Sequence, residues 1–310
     1  MLETAADLSG DVAQPHYWRG RLAELEGNVD DALSHYDNGL GNQDDHVASR
    51  LRIAHLQYRD GELEKAFEQV DKILNKLGSA SGDVETAEAY HVMGLVHSAR
   101  SENTKAIEAF TKAIDKDSDR SQTLHKLAEA YEQAGKYQEA LNFFQSNKAL
   151  EKENPEVLLG IVRAYMGLEK WQDAINKLEE GEKRFPDDAR FPYFLGKLHL
   201  ERGAFSDARD AMERAVSLDS TLLEAYGTLA QLVWRLEKDP SAAEYYVQQI
   251  VNQPELIDAT VARKVAGYYR MSNREELAIQ WYKEALKRDP NDWPARLSLA
   301  KIYLSQERTV

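Results

Sequence analysis

An alanine recurs through this chain at Ala32, Ala66, Ala106, Ala140, Ala174, Ala208, Ala242 and Ala278, at intervals of 34, 40, 34, 34, 34, 34 and 36 residues. Twelve residues before each stands Gly20, Ala54, Gly94, Ala128, Val162, Gly196, Ala230 or Ala266, and four residues after each stands Tyr36, Val70, Phe110, Phe144, Leu178, Met212, Tyr246 or Tyr282. Small residues let two helix axes approach closely, and a bulky side chain facing them fills the space between. The pattern is therefore one packing rule written eight times. A period of this length calls for a supersecondary unit that cannot bury its apolar face alone and must stack on its neighbours.

The local pattern within each unit is helical. Leu124, Leu127, Ala128 and Tyr131 fall at i, i+3, i+4 and i+7, the apolar stripe of an amphipathic helix. Gly27, Gly61, Gly135 and Gly203 sit where a tight turn must separate two helices, and Pro186, Pro254 and Pro290 stand where a second helix must stop. No segment reads as strand. These spacings and residue types resemble the tetratricopeptide repeat, most closely in the stretches LHKLAEAYEQAGKYQEALNFF and WYKEALKRDPND. Departures include Arg19 where that family has Leu, and Gln57, His97 and His199 where it has Tyr. The resemblance implies an all-α, right-handed superhelical solenoid. Eight repeats are expected over 13–292, starting at 13, 47, 87, 121, 155, 189, 223 and 259, with a ninth first helix or C-terminal cap over 293–310. Residues 1–12 are read as the end of a preceding repeat or a cap, which suggests a piece of a longer array. The insertion around 77–86 is expected to be a loop that lengthens its flanking helices, and a shorter one at 254–258 to bend the array locally.

Composition narrows the function. With 39 Lys and Arg against 53 Asp and Glu, the formal charge of −14 repels nucleic acid and anionic membrane on average. Cysteine is absent, which removes disulfides, thiolate metal sites and a cysteine nucleophile. No apolar run approaches the roughly 18 residues needed to cross a bilayer. The expectation is a soluble protein, with cytoplasm preferred to periplasm.

The resemblance also implies where a partner would bind. Positions 2, 5, 9, 12 and 13 of each first helix cluster opposite the packed stripe, and tetratricopeptide proteins commonly use that stripe as a concave groove. In repeats 5 to 8 these twenty positions hold Arg163, Arg190, Lys197, Arg235, Arg263 and Arg270 against Glu156, Glu201 and Glu224. Repeats 1 to 4 carry Arg21 and Arg59 against Glu24, Glu88, Glu129 and Glu132. Tyr193 and Trp234 share the basic stripe, with Phe194 on its flank. Arginine beside aromatic surface suits an acidic or carboxylate-terminated peptide, with Trp234 as a candidate anchor. The two-carboxylate clamp for chaperone tails would need Lys and Asn at groove positions that here hold Tyr17, Arg21, Arg52, Glu88 and Val92, so such an adaptor is disfavoured.

His55, His91 and His125 lie on one stripe of successive repeats but have no convergent carboxylate pattern, so a structural or solvent role is expected instead of a metal site. Carboxylate pairs such as Glu179 with Glu180 and Asp187 with Asp188 fall at helix ends, and no phosphate-binding loop, HExxH or nucleophile elbow occurs. The leading expectation is a non-catalytic scaffold that binds a protein or peptide, with no cofactor and no metal. The alternatives are a structural subunit of a bacterial export, pilus or polarity machine, and a recognition domain belonging to a larger enzyme.

Overall fold

The computed structural model describes residues 13–76, 82–118, 120–146 and 154–307. The expectations for residues 1–12 and 308–310, and for 77–81 of the loop at 77–86, fall outside these. Among the described residues there are seventeen α-helices, one 3-10 turn and no strand. Two compact units divide the chain, Met1–Lys170 and Trp171–Val310.

The first unit holds α1 (Gln14–Leu25), α2 (Val29–Asn42), α3 (Val47–Arg59), α4 (Leu63–Lys76), α5 (Asp83–Ala99), α6 (Asn103–Lys116), α7 (Ser121–Gln133), α8 (Tyr137–Ser146) and α9 (Pro155–Gly167). Helices pair as α1/α2, α3/α4, α5/α6 and α7/α8, and each second helix also packs on the first helix of the next pair. A β-carbon at Gly20 would lie 2.5 Å from the Tyr36 ring, and one at Gly94 would lie 2.4 Å from the Phe110 ring. Both rings are fully buried, so glycine is what lets these helices meet. Phe144 behaves differently. It shares a core with Ala128, and its ring lies against Gly160 of α9, where a β-carbon would be 2.7 Å away. Helix α5 starts at Asp83, so part of the insertion lengthens that helix.

The second unit holds α10 (Trp171–Arg184), α11 (Arg190–Glu201), α12 (Phe205–Leu218), α13 (Leu223–Glu237), α14 (Pro240–Val251), α15 (Ala259–Met271), α16 (Glu275–Arg288) and α17 (Trp293–Glu307). Its pairs are α11/α12, α13/α14 and α15/α16, with α10 packed on α11 and α17 on α16. Phe185 stacks on Phe191 with ring centroids 5.8 Å apart, closing the turn between α10 and α11. Pro254–Leu256 form the 3-10 turn, after which Asp258 caps α15 by accepting from the Val261 N–H at 2.8 Å.

The alanine ladder needs one correction. Seven of its members are buried, but Ala242 and Tyr246 are only partly covered, and Ala243 and Val247 take the interior places. In every pair the interior alanine is the fourth residue of the second helix, and α14 starts one residue later than a 34-residue period requires. The cause lies in the turns. Each turn has one residue in the left-handed region: Gly27, Gly61, Gly135 and Gly203 in four, Ser101, Glu169 and Asn273 at the matching place in three, and Lys238 one place later in the remaining turn. Lys238 is followed by Asp239, which accepts from the Ser241 N–H at 2.8 Å, and by Pro240 at the first helical position. Helix α13 runs on to Glu237 and only Lys238 and Asp239 separate it from α14, whose start one residue late rotates its register by about 100° and exchanges Tyr246 for Val247 at the core.

Candidate functional site

The charged face of the second unit is built from α11, α13 and α15. The Tyr193 hydroxyl donates to Glu224 at 2.5 Å, tying α11 to α13. Lys264 Nζ stands 3.4 Å from the other Glu224 oxygen and brings α15 into the same network. Burial pushes the Glu224 carboxyl up, but the Tyr193 hydroxyl, Lys264 and Lys197 outweigh it and hold the group below its usual range. Lys264 is itself pulled down by burial, against the opposing pull of Glu224. Gln231 donates to the Lys264 carbonyl at 2.5 Å, a second tie between α13 and α15.

The structure separates the stripe residues by what holds them. Arg163 lies in the first unit, where it pairs with Glu132 at 2.9 Å. Arg190 pairs with Asp188 at 2.6 Å and lines an open cleft of about 730 Å³ with Phe185, Asp187 and Leu218. Arg263 pairs with Asp292 at 3.1 Å. Arg235 stacks on Phe205 of α12 with its guanidinium 3.9 Å from the ring centroid. Trp234 donates its indole N–H to the Met271 carbonyl at 2.9 Å and meets the Tyr268 ring edge-on. Its polar atom is committed to the end of α15, which gives Trp234 a packing role between α13 and α15.

Lys197 differs from the rest. Its ammonium lies 5.4 Å from the Tyr193 ring centroid and 6.0 Å from that of Phe194, and it has no ion-pair partner among the described residues. Arg270, exposed in the last turn of α15, likewise has none. The sequence count of cations on this face overlooked Asp188 and Asp292, which hold the last positions of their repeats and neutralise the next or nearest arginine. Asp recurring at that place was the available signal.

In the first unit the corresponding stripe is an internal polar ladder. Arg52 pairs with Glu24, and Glu88 is shared by His55 and Arg120. His91 meets the Thr123 hydroxyl at 2.9 Å, and His125 lies 3.0 Å from both Glu129 and Glu156. Each histidine thus joins its helix to the first helix of the following pair. Among the described residues no group of three or more His, Asp or Glu side chains is placed to hold a metal ion, and no helix is long and apolar enough to cross a membrane.

Comparison with known proteins agrees with this architecture. Models described as tetratricopeptide repeat match residues 19–83, 159–222 and 266–292, and a model for anaphase-promoting complex, cyclosome, subunit 3 matches residues 99–181. The chain is 22% identical over 273 residues to the Hsp70-Hsp90 organizing protein of Triticum aestivum, covering 86% of this chain and 45% of that protein. It is 24% identical over 271 residues to superkiller complex protein 3 of Homo sapiens, covering 84% of this chain and 15% of that one. The chain therefore spans less than half the length of these relatives. A solved tetratricopeptide repeat protein from Parabacteroides merdae superposes over 94% of this chain and 99% of its own, with a TM-score of 0.58 at 12% identity. The APC/C hetero-tetramer Cut9-Hcn1 covers 94% of this chain and 54% of its own, with a TM-score of 0.55 at 17% identity. The matched repeats, the eight-fold socket pattern and the superposed fold make this chain a member of the tetratricopeptide repeat family.

Proposed function

We propose that the chain is a non-catalytic scaffold that holds a protein or peptide, with the α11–α13–α15 face of the second unit as its binding surface and an acidic or carboxylate-terminated segment as its ligand. The observation that carries this reading is Lys197, a cation held over two aromatic rings and left without an ion pair while its neighbours Arg190, Arg263 and Lys264 are paired. Such a group gains a carboxylate partner without breaking an existing pair. Arg270 offers a second free cation on the same helix as Lys264. Chaperone-tail recognition by a two-carboxylate clamp is not supported, because Arg52 and Glu88 are engaged in internal ion pairs and Val92 is buried.

The test is fluorescence anisotropy with a labelled acidic decapeptide, prepared with a free C-terminus and as its amide. Binding that weakens with salt and falls about tenfold in Lys197→Glu and in Arg270→Glu supports the reading. The amide arm separates recognition of the terminal carboxylate from recognition of acidic side chains. Unchanged affinity in the double reversal, with helicity intact by circular dichroism, refutes it.

A further inference from the structure

Helices α11, α13 and α15 end side by side, and the edge they form carries open cations. Arg202 caps the end of α11, Arg235 lies in the last turn of α13, Lys238 in the turn after it, and Arg270 in the last turn of α15. All four are exposed, and none has an ion-pair partner among the described residues. Contacts join them into one row. The Trp234 indole reaches the Met271 carbonyl beside Arg270, the Lys238 ammonium lies 5.4 Å from the Trp234 ring, and the Arg235 guanidinium lies on Phe205, three residues after Arg202. Nearby acids are used elsewhere: Glu237 holds Arg209 at 2.7 Å, Asp239 accepts from the Ser241 and Ala242 N–H groups, and Glu244 holds Arg274. Exposed Glu201, Glu275 and Glu276 come only at the two borders of the row.

A cation in the last turn of a helix complements the macrodipole, which accounts for its presence but not for its surroundings. In the first unit the matching cations are closed or solitary. Arg100 pairs with Glu64 at 2.7 Å and Lys136 with Glu139 at 3.2 Å, while Arg59 and Lys170 stand without an exposed large apolar side chain beside them. In the second unit Leu236, between Arg235 and Lys238, and Met271, next to Arg270, are both exposed. The pairs α11/α12, α13/α14 and α15/α16 are all complete, so this edge is not a face that a further helix of the array would cover.

We propose that this edge binds an acidic segment of a partner protein that carries aliphatic or aromatic residues among its carboxylates. The acids meet Arg202, Arg235 and Lys238, and the apolar residues meet Leu236 and Met271. Charge selects the occupant: a short acidic segment is drawn to open cations, whereas a second copy of the chain brings its whole formal charge of −14 against an equal one. The inference rests on the reading of α11, α13 and α15 as an acid-binding face. It adds the edge over which the ligand leaves that face, and an apolar requirement that Lys197 and Arg270 do not impose.

The probes are two labelled acidic dodecapeptides with amidated C-termini, identical except for two central residues, leucine in one and serine in the other. Fluorescence anisotropy with the full chain is expected to show the leucine peptide bound about tenfold more tightly. Lys238→Glu and Arg235→Glu should each weaken it by about fivefold. Glutamate fits at 238 because Glu169 already holds the same left-handed conformation. Leu236→Ser together with Met271→Ser, both at exposed positions, should bring the two peptides to equal affinity. Lys197→Glu separates the two proposals. Binding lost in Lys197→Glu but unchanged in Lys238→Glu and Arg235→Glu leaves the acid-binding face standing and overturns the edge. Equal affinity of the wild-type chain for the two peptides also overturns the edge. Unchanged binding in all three charge reversals, with helicity intact by circular dichroism, overturns both. Sedimentation of the unlabelled chain closes the remaining route: concentration-dependent dimers abolished by Lys238→Glu place a second copy on the edge and overturn its assignment to a partner's segment.

Discussion

Replacing Gly94 by alanine tests the packing rule at its tightest point. The added β-carbon would sit 2.4, 2.5 and 2.8 Å from three atoms of the Phe110 ring, well inside contact distance. The ring is fully buried and has no room to retreat. Phe144, whose repeat has Ala128 at the place of Gly94, lies against Gly160 of the next helix, whereas the place equivalent to Gly160 after Phe110 is Lys126. Overpacking of this kind costs about 1–3 kcal/mol, and the better helix propensity of alanine returns about 0.5–1 kcal/mol. The expected net loss is about 1–2 kcal/mol. Urea unfolding followed by circular dichroism measures it, with hydrogen exchange of α5 and α6 amides locating it, because repeat arrays can unfold in parts. Adding Phe110→Leu should recover part of the loss, so the double variant is more stable than the sum of the singles implies. A neutral or stabilised Gly94→Ala would show that propensity outweighs the contact and would refute the reading of glycine as a steric requirement.

Glu169 adopts a left-handed conformation at φ 56° where four other turns have glycine, so Glu169→Gly should stabilise the chain by about 1 kcal/mol in the same assay. Burial first, then His55 and Lys126, push His91 down to about 4, while Thr123 offers it only a neutral partner. Because the folded value lies below the ordinary one of 6.5, this contribution is present above pH 6.5 and is lost as pH falls toward about 4. His91 alone should account for about 2 kcal/mol of lost stability between pH 7 and pH 5, with His55, also pushed down to about 4, adding to the slope; His91→Leu should flatten it in part, and an unchanged slope would exclude His91 as a source. Trp234→Phe removes the bond to the Met271 carbonyl and should cost about 1 kcal/mol of stability, read as faster hydrogen exchange at the end of α15.

The sequence makes the array legible because its period is carried by residue size. Gly20, Gly94 and Gly196 opposite Tyr36, Phe110 and Met212 leave little choice of partner once helices are assumed. A fixed period fails at Ala242, because register is set by the turn. Pro240 and Asp239 announce the later helix start, but a search that steps by 34 passes over them. Left-handed turns at Ser101 and Glu169 are also hidden, since neither residue type favours that conformation. The charged face was legible as a set of cations and not as a field. Counting stripe positions misses Asp188 and Asp292, which reach the face from the ends of repeats.

The different choices of Phe110 and Phe144 bear on how the chain can be dissected. The Phe110 ring lies against Gly94 of its own helix pair but shares a core with Leu124 and Leu127 of the next, so a break after residue 120 keeps the glycine contact and bares the other side. Phe144 lies against Gly160, so a break after residue 154 removes that contact and bares that side of the ring to water. Repeats of equal length are therefore unequal modules, and shuffling or shortening the array should respect the side to which each aromatic leans.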